Sequence, residues 1–164
     1  MSDTGSEKEW EPKIVAYFCN WCSYTGSDLA GISRMSYEPN TRIIRVMCSG
    51  RIDPQFVVDA FRDGADGVLM GGCNPGDCHY QAGNYKTLRR FKMLKAMLKQ
   101  FGIEDERLRL EWISAAHADK VQRVLNEMAE QLKKLGPLKL AEIPSPEQVE
   151  KPEPVAVGAE GVAQ

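Results

Sequence analysis

Four short apolar runs, separated by stretches with a helical period, constrain this chain more than any other feature of it. Ile14–Cys19, Ile43–Cys48, Gly67–Gly71 and Leu108–Ser114 are each rich in Val, Ile, Leu or aromatic residues, the pattern of strands buried on both faces. After the second run, Asp53-Pro54 offers an N-cap and a first-turn proline, Phe56, Val57, Ala60 and Phe61 an apolar stripe, and Gly64 a stop. Another helix follows Asn84, with Leu88, Phe91, Leu94, Leu98 and Phe101 at helical spacing up to Gly102. The last carries Val121, Val124, Leu125, Met128, Leu132 and Leu135 and is closed by Gly136-Pro137. A shorter one is expected around Ser27–Met35. Strands alternating with helices imply βαβ crossovers and a parallel sheet. The expected fold is α/β: a small doubly wound, flavodoxin-like sheet of four parallel strands with helices on both faces.

That pattern covers residues 13–137 and predicts one domain there, preceded by a flexible segment at 1–12. Beyond it, "IPSPEQVEKPEPVAVGAEGVAQ" has four prolines and neither period, so residues 138–164 are expected to form a disordered tail. The chain is 43% hydrophobic and 27% charged, which excludes a fibrous or wholly disordered class. No apolar run approaches the ~18 residues of a membrane span. The polar "MSDTGSEKEWEPK" lacks the apolar core of a secretory signal, so a cytoplasmic location without a membrane is expected. In that reducing compartment the five cysteines read as metal ligands or redox groups.

The five sulfurs fall in a pattern. Cys19 ends the first strand, Cys22 follows it, Cys48 ends the second strand, and Cys73 and Cys78 flank the loop after the third. Parallel strands end on one edge of their sheet, so all five are expected at that edge, where open α/β sheets bind ligands. Gly71, Gly72 and Gly76 in "LMGGCNPGDCHY" allow tight turning and close backbone approach. Turn formation accounts for those glycines but leaves both cysteines unexplained.

Three chemistries suit the sulfurs. Cys19 and Cys22 alone could form a thioredoxin-like redox pair between a strand and a helix. C-x2-C with C-x4-C also lies within zinc-ligand spacing, which would make the chain a zinc-stabilised adaptor. The same two gaps, in another order, occur in plant-type ferredoxins. An anionic iron–sulfur centre would gain from helix N-termini facing that edge. Arg51, His79, Arg89 and Arg90 lie near it in sequence, and His79 is a further candidate ligand. Between Cys22 and Cys48 the spacing does not choose a fifth, non-ligating thiol; Cys73, Cys78 and Cys19 are the first choices as ligands.

No general base, nucleophile pair or dinucleotide fingerprint is present, so no self-contained catalytic site is expected. Asp28, Asp53, Asp66 and Asp77 sit near expected helix starts, where capping is the plain reading, and His117 precedes the last helix. Despite a net charge of −2, Lys86–Lys99 carries six basic residues and no acid. That excess is too small for nucleic-acid binding. It reads as a solvated helix face or, with Trp21 and Tyr80, as a protein-docking element.

At "FCNWCSYTGSDLAG", "RVMCSGRIDP", "GGCNPGDCHYQAGNY" and "RR" the chain resembles the delta subunit of methyl-viologen-reducing, F420-non-reducing hydrogenase of methanogenic archaea, over residues 10–136. All five cysteines of that family's motif are present. The resemblance implies one [2Fe–2S] cluster held by four of Cys19, Cys22, Cys48, Cys73 and Cys78. It also implies electron transfer from a hydrogenase (its small subunit), or from the beta subunit of a formate dehydrogenase, to the flavin-bearing A subunit of heterodisulfide reductase.

Overall fold

The computed structural model describes residues 10–140; the expected N-terminal segment up to residue 9 and the expected tail from residue 141 lie outside them. Eight main elements alternate along the chain: β1 (Ile14–Cys19), α1 (Ser23–Ile32), β2 (Thr41–Val46), α2 (Pro54–Arg62), β3 (Gly67–Gly72), α3 (Gly83–Gln100), β4 (Leu108–Trp112) and α4 (Ala118–Leu135). One-turn 3-10 helices, Ser49–Arg51 and Asp105–Arg107, precede α2 and β4. All four strands are parallel, in the order β2-β1-β3-β4. This is the doubly wound α/β sheet that the alternation of apolar runs predicts.

Side chains of β1 divide between two cores because successive residues point to opposite faces. Ile14, Ala16 and Phe18 pack with Leu69 of β3 and with Val121, Val124, Leu125, Met128 and Leu132 of α4. Val15 and Tyr17 pack with Val68 and Met70, with Val57 and Phe61 of α2, and with Leu94 and Leu98 of α3. Helices α1 and α4 therefore share one face and α2 and α3 the other, as right-handed crossovers in both directions from β1 require.

Burial on both faces holds for the central strands only. In β2, Arg42, Ile44 and Arg45 are exposed, because an edge strand has a neighbour on one side alone. β2 also starts two residues before the apolar run, since its ends follow pairing with β1, Ile14 opposite Thr41. Helix α1 begins at Ser23, ahead of the expected start, so Asp28 lies within it, exposed, and caps nothing. Asp53 does cap α2, accepting from the Gln55 amide at 2.9 Å. Asp66 has a different task. Buried before β3, its carboxylate accepts the backbone N–H of Lys13 at 2.9 Å and that of Leu138 at 3.0 Å. Leu138 and Leu140, beyond the expected domain end, pack against the α2–α3 core. No helix among the described residues is long and apolar enough to cross a membrane.

One buried charge was hidden in the polar run "EDERLR". Arg107 is 1% exposed. Its Nε donates to Glu104 Oε2 at 2.6 Å, Nη1 to the Asp66 carbonyl at 3.1 Å and Nη2 to the Gly136 carbonyl at 3.0 Å. The guanidinium beside it holds the Glu104 carboxyl below the usual carboxylate range. Arg107→Met leaves two buried carbonyls without their donor and should destabilise the fold by about 3 kcal/mol, read as a lower urea midpoint. A carboxyl lowered in the folded state stabilises fully above its unfolded value and less as pH falls through its folded one. The gap between wild type and variant should therefore narrow in acid.

Candidate metal centre

Strand order reverses between β1 and β3: from β1 the chain crosses outward to β2, then back over β1 to β3. The loops leaving the carboxyl ends of these two central strands therefore diverge and open a crevice. Cys19 is the last residue of β1 and Cys73 the first after β3. Their sulfurs lie 3.6 Å apart, both residues 1% exposed. Cys22, at the N-cap position of α1 and half-buried, turns its sulfur to Cys73. Cys48, just before the Ser49–Arg51 turn, faces Cys78. The five sulfurs thus gather at one edge in two adjoining groups, Cys19/Cys22/Cys73 and Cys48/Cys78, and all are free thiols. Among the described residues no three Cys, His, Asp or Glu side chains surround a single point as a mononuclear metal site would require. Cys19 also pairs with Cys73 rather than with Cys22, unlike an isolated redox C-x-x-C.

The crevice favours thiolates at selected positions. A hydrogen bond from the Cys73 thiol, opposed by burial and aided by the backbone N–H groups of Trp21, Ser49 and Cys22, brings Cys19 down to about 6. The same bond, with burial, holds Cys73 as the protonated partner. Burial pushes Cys22 and Cys48 up. Burial also works against Cys78, but N–H groups of Asn84, Tyr80 and Gly83 and the neighbouring Cys48 outweigh it and bring it below the ordinary thiol range. Gly83 and Asn84 open α3, so the positive end of that helix contributes to holding negative sulfur.

Several residues that build this arrangement were not singled out by sequence. A Cβ on Gly83 would overlap Cys48 Sγ and approach Cys78 Sγ to 3.1 Å; one on Gly50 would meet Gly83 Cα and O at 2.9 Å. Two bare backbones thus touch where the Cys48 and Cys78 segments cross. Arg90, expected near the edge, reaches from α3 to grip that crossing, donating through Nη1 to the Gly50 carbonyl at 2.7 Å and the Ile52 carbonyl at 3.1 Å. Buried Asn84 ties the loop between Cys73 and Cys78 to α3, its Nδ2 donating to the Asn74 carbonyl at 2.8 Å. A glycine at the first residue of a helix, where a capping side chain is usual, was the available signal.

Aromatic rings join the two groups on the outside. The rings of Trp21 and His79 stack 3.9 Å apart at 15°, and Trp21 Nε1 donates to the Tyr80 hydroxyl at 3.3 Å. His79 is exposed and engaged in that stack. Beside the rings a cleft of about 370 Å³ opens onto Cys48, lined also by Met47, Gly50, Arg51, Tyr80, Gly83, Lys86 and Arg90. Lys86, Arg89, Arg90 and Met93 line the adjoining one. Lys95 is held inward, donating to the Asp105 carbonyl at 2.7 Å. Asp77 is exposed in the cysteine loop, and His117 occupies the N-cap position of α4 without a side-chain bond.

Gly83→Ala should push Cys48 and Cys78 apart and cut the metal retained per chain several-fold, with the far-ultraviolet circular dichroism of the fold kept. Gly31→Ala, whose added methyl meets nothing within 4 Å, serves as the control and should retain the wild-type amount. Metal analysis of the two purified proteins checks this.

The family model described as methyl-viologen-reducing hydrogenase, delta subunit, matches residues 14–136. The chain is 57% identical over 135 residues to the iron-sulfur D subunit of the vhc F420-non-reducing hydrogenase of Methanococcus voltae, an alignment covering 82% of this chain and 94% of that one. It is 54% identical over 132 residues to the iron-sulfur D subunit of the F420-non-reducing hydrogenase of Archaeoglobus profundus, covering 80% and 96%. It is also 46% identical over 138 residues to part of the A subunit of the ferredoxin/F(420)H(2)-dependent CoB-CoM heterodisulfide reductase of Methanosarcina acetivorans, covering 84% of this chain but 17% of that longer one. The chain belongs to the family of methyl-viologen-reducing hydrogenase delta subunits.

Proposed function

We propose that residues 13–137 form an iron–sulfur domain holding one [2Fe–2S] cluster. Cys48 and Cys78 would ligate one iron and Cys19 and Cys73 the other, with Cys22 the non-ligating fifth thiol. The observation that carries this reading is the division of the sulfurs into two adjoining groups. A single tetrahedral ion needs four sulfurs about one point, each about 3.8 Å from the next. A binuclear centre needs two pairs, and the 3.6 Å separation of Cys19 and Cys73 suits one of them. Cys22 is the member of its group that is only half-buried.

When bound, such a cluster accepts and releases one electron at a time. The chain's own residues supply the rest: N–H donors on Cys19 and Cys78, a dry crevice behind, and an exposed rim in front. The likeness to hydrogenase D subunits and to a segment of a heterodisulfide reductase A subunit supports a relay in the cytoplasm. It would run from a hydrogenase or a formate dehydrogenase to the flavin-bearing A subunit of heterodisulfide reductase. Beside the crevice, Trp21, Met47 and Tyr80 are 43%, 56% and 51% exposed, an apolar patch next to the cations Arg51, Lys86 and Arg89. That combination suits docking against an acidic partner surface.

Anaerobically purified protein should be coloured and carry iron and acid-labile sulfide in equal amounts. Single Cys→Ser variants at positions 19, 48, 73 and 78 should lose the visible absorption, and Cys22→Ser should keep it. Colourless protein with one zinc per chain would overturn the reading. Replacing Lys86 and Arg89 together with Glu should slow association with the reductase's flavin-bearing partner chain roughly tenfold at low ionic strength. Surface plasmon resonance across a salt series checks this, with the difference shrinking as salt rises.

A further inference from the structure

Two buried side-chain oxygens among the described residues have no hydrogen-bond partner, Thr41 Oγ1 and Ser49 Oγ. Thr41 opens β2, at the rim opposite the thiols. Ser49 sits among them. It follows Cys48 directly, its backbone N–H is given to the Cys19 sulfur, and it is wholly buried at 0% exposure. It therefore bridges the two sulfur groups, touching Cys19 through the backbone and joined to Cys48 by a peptide bond. A Cβ on Gly72, the residue before Cys73, would come within 3.0 Å of Ser49 Oγ, so the hydroxyl occupies space kept open by a glycine. No cysteine sulfur takes its proton either.

A buried hydroxyl without a partner costs free energy and is rare in native proteins. Apolar alanine would fit the same small space without that cost. We infer that Ser49 donates its hydroxyl hydrogen bond to an inorganic sulfide of the cluster proposed above, on which this inference rests. An acceptor between the two thiol groups is what the polypeptide lacks there and what a [2Fe–2S] centre supplies. The O–H dipole then points its positive end at a group that gains negative charge on reduction. Ser49 stabilises the reduced state more than the oxidised one and raises the reduction potential.

The test uses the full chain with its cluster. Redox titration followed by electron paramagnetic resonance should place Ser49→Ala at a more negative midpoint potential than wild type, at equal iron and sulfide content. Resonance Raman spectra in light and heavy water should show bridging Fe–S modes that shift in wild type and stay fixed in Ser49→Ala. Unchanged potential and unchanged bridging modes in a loaded Ser49→Ala protein would overturn the assignment. If that variant takes up no cluster, Ser49→Thr keeps the hydroxyl and should retain the wild-type potential and isotope shift. If neither variant loads, the wild-type spectrum decides: bridging modes that respond to heavy water support the bond, and modes that do not respond exclude it. Wild-type protein without iron or sulfide would instead defeat the cluster reading itself, a failure visible before any variant is made.

Discussion

Parallel pairing of β1 with β3 is the contact on which the crevice depends. Phe18 lies opposite Gly71 in that register, so the next residues of the two strands emerge side by side, and Cys19 and Cys73 meet at 3.6 Å. Were the sheet ordered by sequence, β2 would separate these strands and no single edge position would bring the two thiols together. The order β2-β1-β3-β4 places the reversal of winding there, and the crossover connections leave room for a ligand. Packing on both faces makes the position rigid. Phe18 and Leu69 are locked under α4 and Tyr17 and Met70 under α2 and α3, so the strand ends have little freedom to drift.

The second group of sulfurs has no such support from the sheet, since Cys48 and Cys78 both lie on connections. Their position comes from backbone meeting backbone. The contact of Gly50 with Gly83, and the grip of Arg90 on the carbonyls flanking it, do for these loops what strand pairing does for Cys19 and Cys73. Burial of so many thiols disfavours the thiolate at each of them. N–H groups at Cys19 and at Cys78 reverse that preference at one member of each group. The crevice is thereby provided with negative sulfur on both sides at moderate cost.

Much of this architecture can be read from the residues. Continuous apolar runs identify β1 and β3 to within a residue, because central strands are buried on both faces and show it in composition. β2 is displaced by its pairing rather than by its hydrophobicity, and α1 starts early because its first turn is packed by contact with Gly71 through Ser23, whose hydroxyl donates to that carbonyl at 2.9 Å. The cysteines announce the edge because each follows a strand or flanks its loop. Gly83, Arg90, Asn84 and Ser49 are silent in sequence: each acts through a contact with a segment far away along the chain. Arg107 is silent for the same reason, its partners being carbonyls of residues 66 and 136. Lys95 shows the converse, a charge that reads as surface and is tied down by a neighbouring turn.

Asp66 carries a consequence for how the domain is built into larger proteins. Its two carboxylate oxygens hold the chain as it enters β1, at Lys13, and as it leaves α4, at Leu138. Entry and exit are thereby stapled together on the rim opposite the thiols. A unit whose two ends meet away from its working face can be spliced into a longer polypeptide as a self-contained cassette, its chemistry facing outward. A stretch 46% identical to this chain makes up 17% of a Methanosarcina acetivorans polypeptide, which is the kind of gene fusion that such adjoining ends permit.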